Sequence, residues 1–410
     1  MRDQRPLRLL CLCQAALVAG HALSFPFFAL YLTRVRGLRP GEVGVIMALS
    51  MLAAAAGFAW GGSISDGYGR VRVMLWSLSL RAVLSAALAA ALALALPVTA
   101  LLALHALSGL VGNTFPSAVR SWVADNRPSR ERVEAYGWLR MAGNLGWALG
   151  PALGGALAAV SYQAMFLATS FVFAFCAVAV RLSLGASEEP KPGATFSPAG
   201  LLAPARDRRY LFFTVCAFLI AVVMAQLIAP LSMHAARYGG LDERRVGLLY
   251  SLNGLIVVLA QWPAARLIGR GRLSIALASG CVLYALGYAS AGFAGGFAAF
   301  AASILLVSVA EVTTSPALQA LSANLAPARE RGRYLGFSGL MECLGWAVGP
   351  LLGGALQQAL SPRWPAAPWL CVAALGLVAG AGFLAVRRRL TPEEEGAPAA
   401  LAAEPAPQEA

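Results

Sequence analysis

The acidic side chain best placed to do chemistry in this 410-residue sequence lies in an apolar run. Glu311 stands in SVAEVTTSP, with Ser308, Thr314 and Ser315 at helical spacing, so one face of a helix there would be polar. Ionisable residues inside apolar segments are costly and by default indicate function. A desolvated carboxyl group could exchange a proton near neutral pH, which coupling to protons requires. The competing interpretation is a structural hydrogen bond between helices.

Other polar side chains in apolar runs are weaker candidates. His21 could carry a proton or contact a substrate, because histidine titrates near physiological pH. Glu342 could pair with Arg140 or act as a second proton site, and both interpretations stay open. Arg81 is predicted to snorkel towards the membrane surface. Four amides could orient a substrate, although for each alone helix packing is the safer interpretation: Asn113, Gln226, Asn253 and Gln261. Asn144, one turn past Arg140, is a further candidate in the same polar neighbourhood.

The elements that position these residues are membrane-spanning helices. Hydrophobic residues make up 59% of the chain, charged residues 12%, and the mean hydropathy is +0.68. Apolar runs of about 20 residues, the length that crosses a bilayer core, recur throughout. We predict twelve spans, at about residues 7–32, 42–64, 73–97, 99–122, 136–160, 163–181, 209–235, 245–267, 273–295, 297–321, 334–359 and 366–386.

An internal repeat divides these spans into two halves. LGWALGPALGGAL at 145–157 returns as LGWAVGPLLGGAL at 344–356. We therefore predict an all-α integral membrane protein with two six-helix halves related by pseudo-twofold symmetry, at residues 1–182 and 209–387. Residues 183–208 are predicted to be a cytoplasmic linker and 388–410 a disordered cytoplasmic tail. The distribution of basic residues favours cytoplasmic positions for both termini.

Two motifs carry a resemblance to the major facilitator superfamily over nearly the whole chain. GSISDGYGRVR, between spans two and three, resembles its motif A, with matches at Gly62, Asp66, Gly69, Arg70 and Arg72. The glycine and proline pattern of span five resembles its motif C, which is associated with antiporters. The residues of this pattern are Gly137, Gly146, Gly150, Pro151, Gly154 and Gly155, repeated in span eleven as Gly336, Gly345, Gly349, Pro350, Gly353 and Gly354.

The resemblance implies a charge relay at the cytoplasmic ends of the first-half helices. In the family pattern, Asp66, Arg70 and Asp125 would latch one transport state. The second half has Arg266 and Asn324 at the positions of the two acids, so any such relay should belong to the first half alone. The resemblance also implies that spans one, four, seven and ten line a central cavity, which would contain Glu311.

The function that the resemblance implies is secondary active transport by alternating access. We expect proton-coupled efflux, by antiport, of a small lipophilic or cationic molecule through a cytoplasmic-membrane protein that works as a monomer. The alternatives are a facilitator or proton symporter that imports a nutrient and, remotely, an intramembrane enzyme. In this class of protein, multidrug resistance is one known role.

Several function classes are disfavoured by what the sequence contains. The single lysine, Lys191, is not part of a phosphate-binding loop, so an ATP-driven pump is not expected. The three histidines are far apart and the seven cysteines are scattered, so neither a metal site nor another cofactor is predicted. The net charge of +13 resides in short loops between spans, and we expect no nucleic-acid partner. The expected partners are a small molecule, protons and the bilayer.

Overall fold

The structure is a computed structural model that describes residues 5–126, 129–184, 202–268, 271–327 and 330–395. Within these ranges the chain forms twelve long helices, two of them interrupted, and a short 3-10 turn at Ala203–Arg206. In the first half the helices are α1 Arg5–Arg34, α2 Pro40–Tyr68, α3 Arg70–Ala93, α4 Val98–Gly112 and Thr114–Asn126, α5 Ser129–Ala158, and α6 Tyr162–Leu184. In the second half they are α7 Arg208–Met224 and Ala229–Arg237, α8 Glu243–Ile268, α9 Leu273–Gly292, α10 Gly296–Leu325, α11 Arg331–Leu360, and α12 Ala367–Arg387.

The predicted all-α membrane fold is confirmed. Eleven of these helices are both long enough and apolar enough to cross a bilayer. The remaining one, α5, has 30 residues but is rich in glycine and carries Arg140 and Asn144, which lowers its hydropathy. It packs along α1 and α8, so these helices, rather than lipid, cover much of its surface. We call the end of the bundle where α1 begins and α12 ends the terminal end, and the opposite end the distal end.

The interruption in α7 exposes backbone carbonyl groups near the middle of the bundle. Between Met224 and Ala229 the chain makes one 3-10 turn, and Pro230 follows at the start of the second piece. The hydroxyl of Tyr250 donates to the carbonyl of Leu227 (2.8 Å) and also to that of Ile228. A neighbouring helix therefore satisfies carbonyls that the break frees, which is a condition for irregular backbone at membrane depth.

The glycine repeats let helices of the same half pack backbone to backbone. A Cβ on Gly146 or Gly150 of α5 would overlap a carbonyl oxygen of α1, at Ala15 and Ala19 respectively. In the second half, a Cβ on Gly349 of α11 would overlap the side chain of Ala225 in α7. The glycine-lined faces therefore allow α5 to pack closely on α1 and α11 to pack closely on α7. Pro151 and Pro350 are accommodated inside their helices.

The final glycine of each repeat faces the other half instead. A Cβ on Gly155 would overlap the carbonyl oxygen of Glu243, at the start of α8. Its counterpart Gly354 meets the carbonyl oxygen of Pro40, at the start of α2, in the same way. These two contacts form a symmetric pair across the interface between halves, near the distal end.

The chain beyond α12 departs from the sequence prediction. We expected disorder from residue 388 onwards, but the chain is folded through Glu395, which is only 4% exposed. The Glu395 carboxylate accepts hydrogen bonds from the backbone N–H and hydroxyl of Ser274, at the start of α9. The prediction was wrong here because it rested on the proline-rich and acidic composition of the segment. Composition does not show that polar groups at the starts of α7 and α9 bind the acidic side chains. The predicted linker lies mostly, and residues 396–410 lie wholly, outside the described residues.

Candidate functional site

A central cavity of about 510 Å³ lies between the two halves. Helices α1, α2, α4 and α5 line it from the first half, and α7 to α11 line it from the second. Most of its surface is apolar, with Phe25, Trp147 and Trp346 among the lining side chains. The cavity brings together five of the predicted candidates: His21, Asn113, Asn144, Asn253 and Glu311.

Glu311 is held in the second-half wall by a short polar chain. Asn253 of α8 donates from Nδ2 to the Glu311 carboxylate (3.1 Å) and to the hydroxyl of Ser308 (3.0 Å). The Ser308 hydroxyl donates in turn to the carbonyl of Ile304 (2.7 Å). Within the described part of the chain, no cationic side chain forms an ion pair with Glu311. The carboxylate thus has one amide donor and otherwise faces the cavity.

The first-half wall contains a pair that the sequence analysis missed. Arg81 of α3 is buried, with 5% of its surface exposed, and its NH2 lies 2.9 Å from Nδ1 of His21. Its guanidinium carbon also lies 4.5 Å from the centre of the Phe173 ring. The prediction that Arg81 snorkels to the surface is therefore wrong. The criterion that identified Glu311, a charge in the middle of an apolar span, could have identified Arg81 as well.

A second space, a vestibule of about 870 Å³, continues towards the terminal end. It is lined by both halves, and Met224 lines both the vestibule and the cavity. Arg140 and Glu342 both face it and lie close enough to interact electrostatically, although no ion pair within 4 Å joins them. Arg140 instead donates to the side chain of Gln319 on α10 (3.3 Å). The role of Glu342 as a second proton site stays a prediction.

The remaining amides differ in what they contact. Asn144 and Asn113 line the cavity, and Asn113 also donates to the carbonyl of Gly109 in the preceding turn (2.9 Å). Gln226 is buried and donates to the carbonyls of Val222 (3.0 Å) and Gly349 (2.8 Å). Gln226 therefore joins α7 to α11, which is the packing role that the sequence analysis held open.

The motif A residues lie at the terminal end between α2, α3 and α4. Arg70 contacts Asp125 (3.2 Å) and donates to the hydroxyl of Ser65 (2.7 Å). Gly69 joins α2 to α3 with φ of 92°, which residues with a side chain rarely adopt. Arg72 is exposed. The side chain of Asp66 and the surroundings of Gly62 lie outside what the structure describes, so Asp66 stays a predicted relay member.

The described residues that line the cavity and the vestibule form no metal-binding cluster. No group of three or more His, Cys, Asp or Glu side chains among the described residues could hold a metal ion. The seven cysteines are free thiols, and Cys343 lines the cavity. The arrangement offers a small molecule an apolar cavity with a few polar side chains in its walls.

Comparisons with known proteins agree with this architecture. The family model described as Major Facilitator Superfamily matches residues 10–242 and again 213–408. Among curated relatives, the MFS-type transporter YdeE of Escherichia coli K12 is 24% identical over 355 residues, covering 84% of this chain and 87% of that one. The Escherichia coli multidrug resistance protein MdtH is 24% identical over 366 residues, covering 88% of this chain and 89% of that one.

Solved structures show the same fold. A POT family transporter in complex with 5-aminolevulinic acid has a TM-score of 0.77 at 14% identity, with 94% of this chain and 96% of that chain covered. The nucleoside transporter NupG also gives 0.77, at 13% identity, with 93% and 99% covered. The chain belongs to the major facilitator superfamily, and it is a multi-pass membrane transporter rather than an enzyme.

Proposed function

We propose that the protein exports a small molecule in exchange for protons. The observation that carries this proposal is Glu311, a carboxylate that faces the cavity between the halves without a cationic partner among the described side chains. An unpaired carboxylate at membrane depth can either hold a proton or attract a positively charged group. Competition between these two occupants at one site would couple substrate movement to proton movement.

The proposed orientation places the terminal end in the cytoplasm. Basic residues are concentrated in the segments at this end, as in the cytoplasmic loops of membrane proteins. The vestibule then connects the cavity to the cytoplasm, which is where an exporter collects its substrate. The membrane would be the cytoplasmic membrane, with both termini inside, and the protein would work as a monomer.

The proposed cycle uses rocking of the two halves around the cavity. A substrate enters through the vestibule and binds with its cationic group near Glu311. After the halves reorient, a proton from outside neutralises Glu311 and weakens its hold on the substrate. The protonated protein returns and releases its proton to the cytoplasm. The proton gradient supplies the driving force.

Two further observations favour export over the import of a nutrient. The relative MdtH is named a multidrug resistance protein, and it matches this chain over 88% of its length. The span-five pattern from Gly137 to Gly155 is the one associated with antiporters in this family. A lipophilic molecule that carries a cationic group would suit the aromatic lining and the Glu311 carboxylate.

The test is transport of a lipophilic cationic dye by purified protein in liposomes with an imposed pH gradient. We expect dye to move against the protons. Glu311→Gln should abolish gradient-driven transport, while dye exchange without a gradient persists at weaker dye affinity, because the cationic group loses its carboxylate partner. Glu42→Gln is the matched control, because Glu42 lies outside the cavity and pairs with Arg39 (2.7 Å). Gradient-driven transport that survives in Glu311→Gln would refute the mechanism, and dye movement together with protons would indicate symport.

A further inference from the structure

Arg81 is a buried cation for which the described residues supply no acidic partner. Among the described residues it forms no ion pair, and its Nε, buried from solvent, has no hydrogen-bond partner. Its one polar contact is with His21, and Phe173 stacks on its guanidinium. An uncompensated charge inside a membrane protein is costly, and its retention indicates a function.

The packing around Arg81 makes room for its guanidinium. A Cβ on Gly112 in α4 would lie 2.5 Å from its NH1 and 2.6 Å from its Cζ, so only a glycine fits there without displacement. The aromatic ring of Phe173 also lies against the guanidinium, 4.5 Å from ring centre to Cζ. The guanidinium is therefore fixed in a space between α1, α4 and α6, rather than free to move towards the membrane surface.

The contact with Arg81 fixes the protonation pattern of His21. A guanidinium only donates hydrogen bonds, so Nδ1 of His21 must accept, and the imidazole proton sits on Nε2. Since His21 lines the cavity, Nε2–H is the polar group that it offers to a ligand. The other titratable group nearby is His105, which stacks with Phe25 and Phe28 and contacts the Ser50 hydroxyl (2.9 Å).

The two walls of the cavity therefore have opposite preferences. On the first half, a donor N–H backed by a positive guanidinium attracts an anionic acceptor and repels a cation. On the second half, the Glu311 carboxylate attracts a cation. A ligand with only a positive charge would satisfy one wall and oppose the other.

We propose that the His21–Arg81 wall binds a carboxylate of the transported molecule, so that the substrates are amphoteric compounds with a cationic group near Glu311 and a carboxylate near His21. This proposal rests on the proposed transport function of the same cavity. It makes His21 a substrate-binding donor rather than a proton carrier, and Arg81 the residue that orients and polarises it.

The test compares two ligands that differ only in the carboxylate. A carboxyl rhodamine is amphoteric, whereas its methyl ester is a simple cation of nearly the same shape. Binding to the purified full-length protein in nanodiscs, at one pH and without a gradient, is followed by quenching of the cavity residues Trp147 and Trp346. A charge-assisted hydrogen bond corresponds to about tenfold in affinity, so we expect the acid to bind roughly tenfold more tightly than the ester.

Variants of Arg81 and His21 test whether the preference for the acid over the ester arises from the first-half wall. Arg81→Gln should remove the preference for the acid while leaving ester binding unchanged or tighter, and His21→Phe should have the same effect with the guanidinium retained. Arg36→Gln is the matched control, because Arg36 lines neither the cavity nor the vestibule and donates to the carbonyl of Leu96 (2.8 Å). Its acid-to-ester ratio should equal that of the unmodified protein.

The outcomes distinguish this inference from the proposed function. Equal binding of acid and ester by the unmodified protein, or a preference that persists in both Arg81→Gln and His21→Phe, would overturn the inference. Because no gradient is present, a preference that depends on Arg81 would support it even if the liposome assay showed no proton coupling. Proton-driven dye export without that preference would support the proposed function alone.

Discussion

At the scale of single residues, an ion pair joins the terminal ends of α3 and α4 in the first half. Arg70 contacts Asp125 at 3.2 Å, and their side chains are 12% and 26% exposed. We predict that Asp125→Asn lowers transport about tenfold, because the relay implied by the family would lose an acid, yet lowers the free energy of unfolding by only about 1 kcal/mol, as expected for a partly exposed pair. Liposome transport and thermal unfolding measure the two quantities.

The second half offers a control for this prediction. Arg266 occupies the position equivalent to Asp66, and its guanidinium carbon lies 3.5 Å from the ring centre of Trp262. The variant Arg266→Gln removes a charge from the terminal end of α8, the counterpart of α2, and leaves every acidic side chain in place. Transport should stay near the unmodified level. Equal losses in Asp125→Asn and Arg266→Gln would contradict a relay confined to the first half.

At the scale of elements, neighbouring glycines in α5 perform different tasks. Gly150 gives α5 its contact with α1 inside the first half, whereas Gly155 gives it a contact with α8 of the second half. We predict that Gly150→Val destabilises the fold by about 1–3 kcal/mol, the usual cost of overpacking. Gly155→Val should leave the melting temperature nearly unchanged but reduce transport, because it opposes only the conformation in which the distal ends of the halves touch. A large loss of thermal stability in Gly155→Val would contradict this division.

The tail segment supplies acidic side chains to the terminal ends of the second-half helices α7 and α9. Glu394 pairs with Arg209 at the start of α7, and its backbone carbonyl accepts from Asn324 at the end of α10 (2.9 Å). Glu395 binds the start of α9. Asn324 occupies the position equivalent to Asp125, and α9 and α10 are the counterparts of α3 and α4. The tail segment therefore joins the terminal ends of α9 and α10, as the Arg70–Asp125 ion pair joins those of α3 and α4 in the first half.

This arrangement predicts a pH-dependent contribution to stability. Burial raises the pKa of the Glu394 carboxyl, but hydrogen bonds from Arg209 and Thr391 outweigh it and hold that pKa below its ordinary value of 4.5. A carboxyl group whose pKa is depressed by folding contributes stability that is fully present above its unfolded pKa and is lost as pH falls through the folded pKa. Glu394→Gln should therefore lower the melting temperature at pH near 7, and the difference from the unmodified protein should shrink below about pH 4. The exposed Glu393 is the control: Glu393→Gln should leave both values unchanged.

Most helices could be predicted from the sequence, because a span of apolar residues is a local property. The repeat at 145–157 and 344–356 likewise predicted close helix packing, although not which neighbour each glycine meets. The contact between Arg81 and His21 could not be predicted, since it depends on how α3 turns against α1. Glu395 was missed because its donors belong to α9, which is remote in sequence.

At the scale of the whole molecule, the two halves pack against each other at the distal end, whereas towards the terminal end the vestibule lies between them and the Arg140–Gln319 hydrogen bond crosses it. Near the distal end, one cluster of buried side chains runs continuously from the first half into the second, whereas the terminal part of the first half has a separate cluster. Arg34 at the end of α1 reaches Glu243 of α8 (2.7 Å) and the carbonyl of Leu241 (2.7 Å). Tyr162 donates to the same Glu243 carboxylate (2.8 Å). This conformation is therefore closed distally, and under the proposed orientation it faces the cytoplasm.

Glu243 joins three elements at this closure, so its neutralisation should release the distal end. The variant Glu243→Gln would lose charge-assisted bonds worth about 1–3 kcal/mol, which would raise the population of a distally open state roughly tenfold. Cys343 reports this change, because it is a free thiol in the cavity wall. In a background with the other six cysteines replaced by alanine, a membrane-impermeant maleimide added to the outside of cells should label Cys343 about tenfold faster in Glu243→Gln. Glu42→Gln is the control, because it removes an exposed distal carboxylate whose ion-pair partner is the nearby Arg39. This variant should be labelled at the unmodified rate. Equal outside labelling in the two variants would show that Glu243 does not hold the distal end closed.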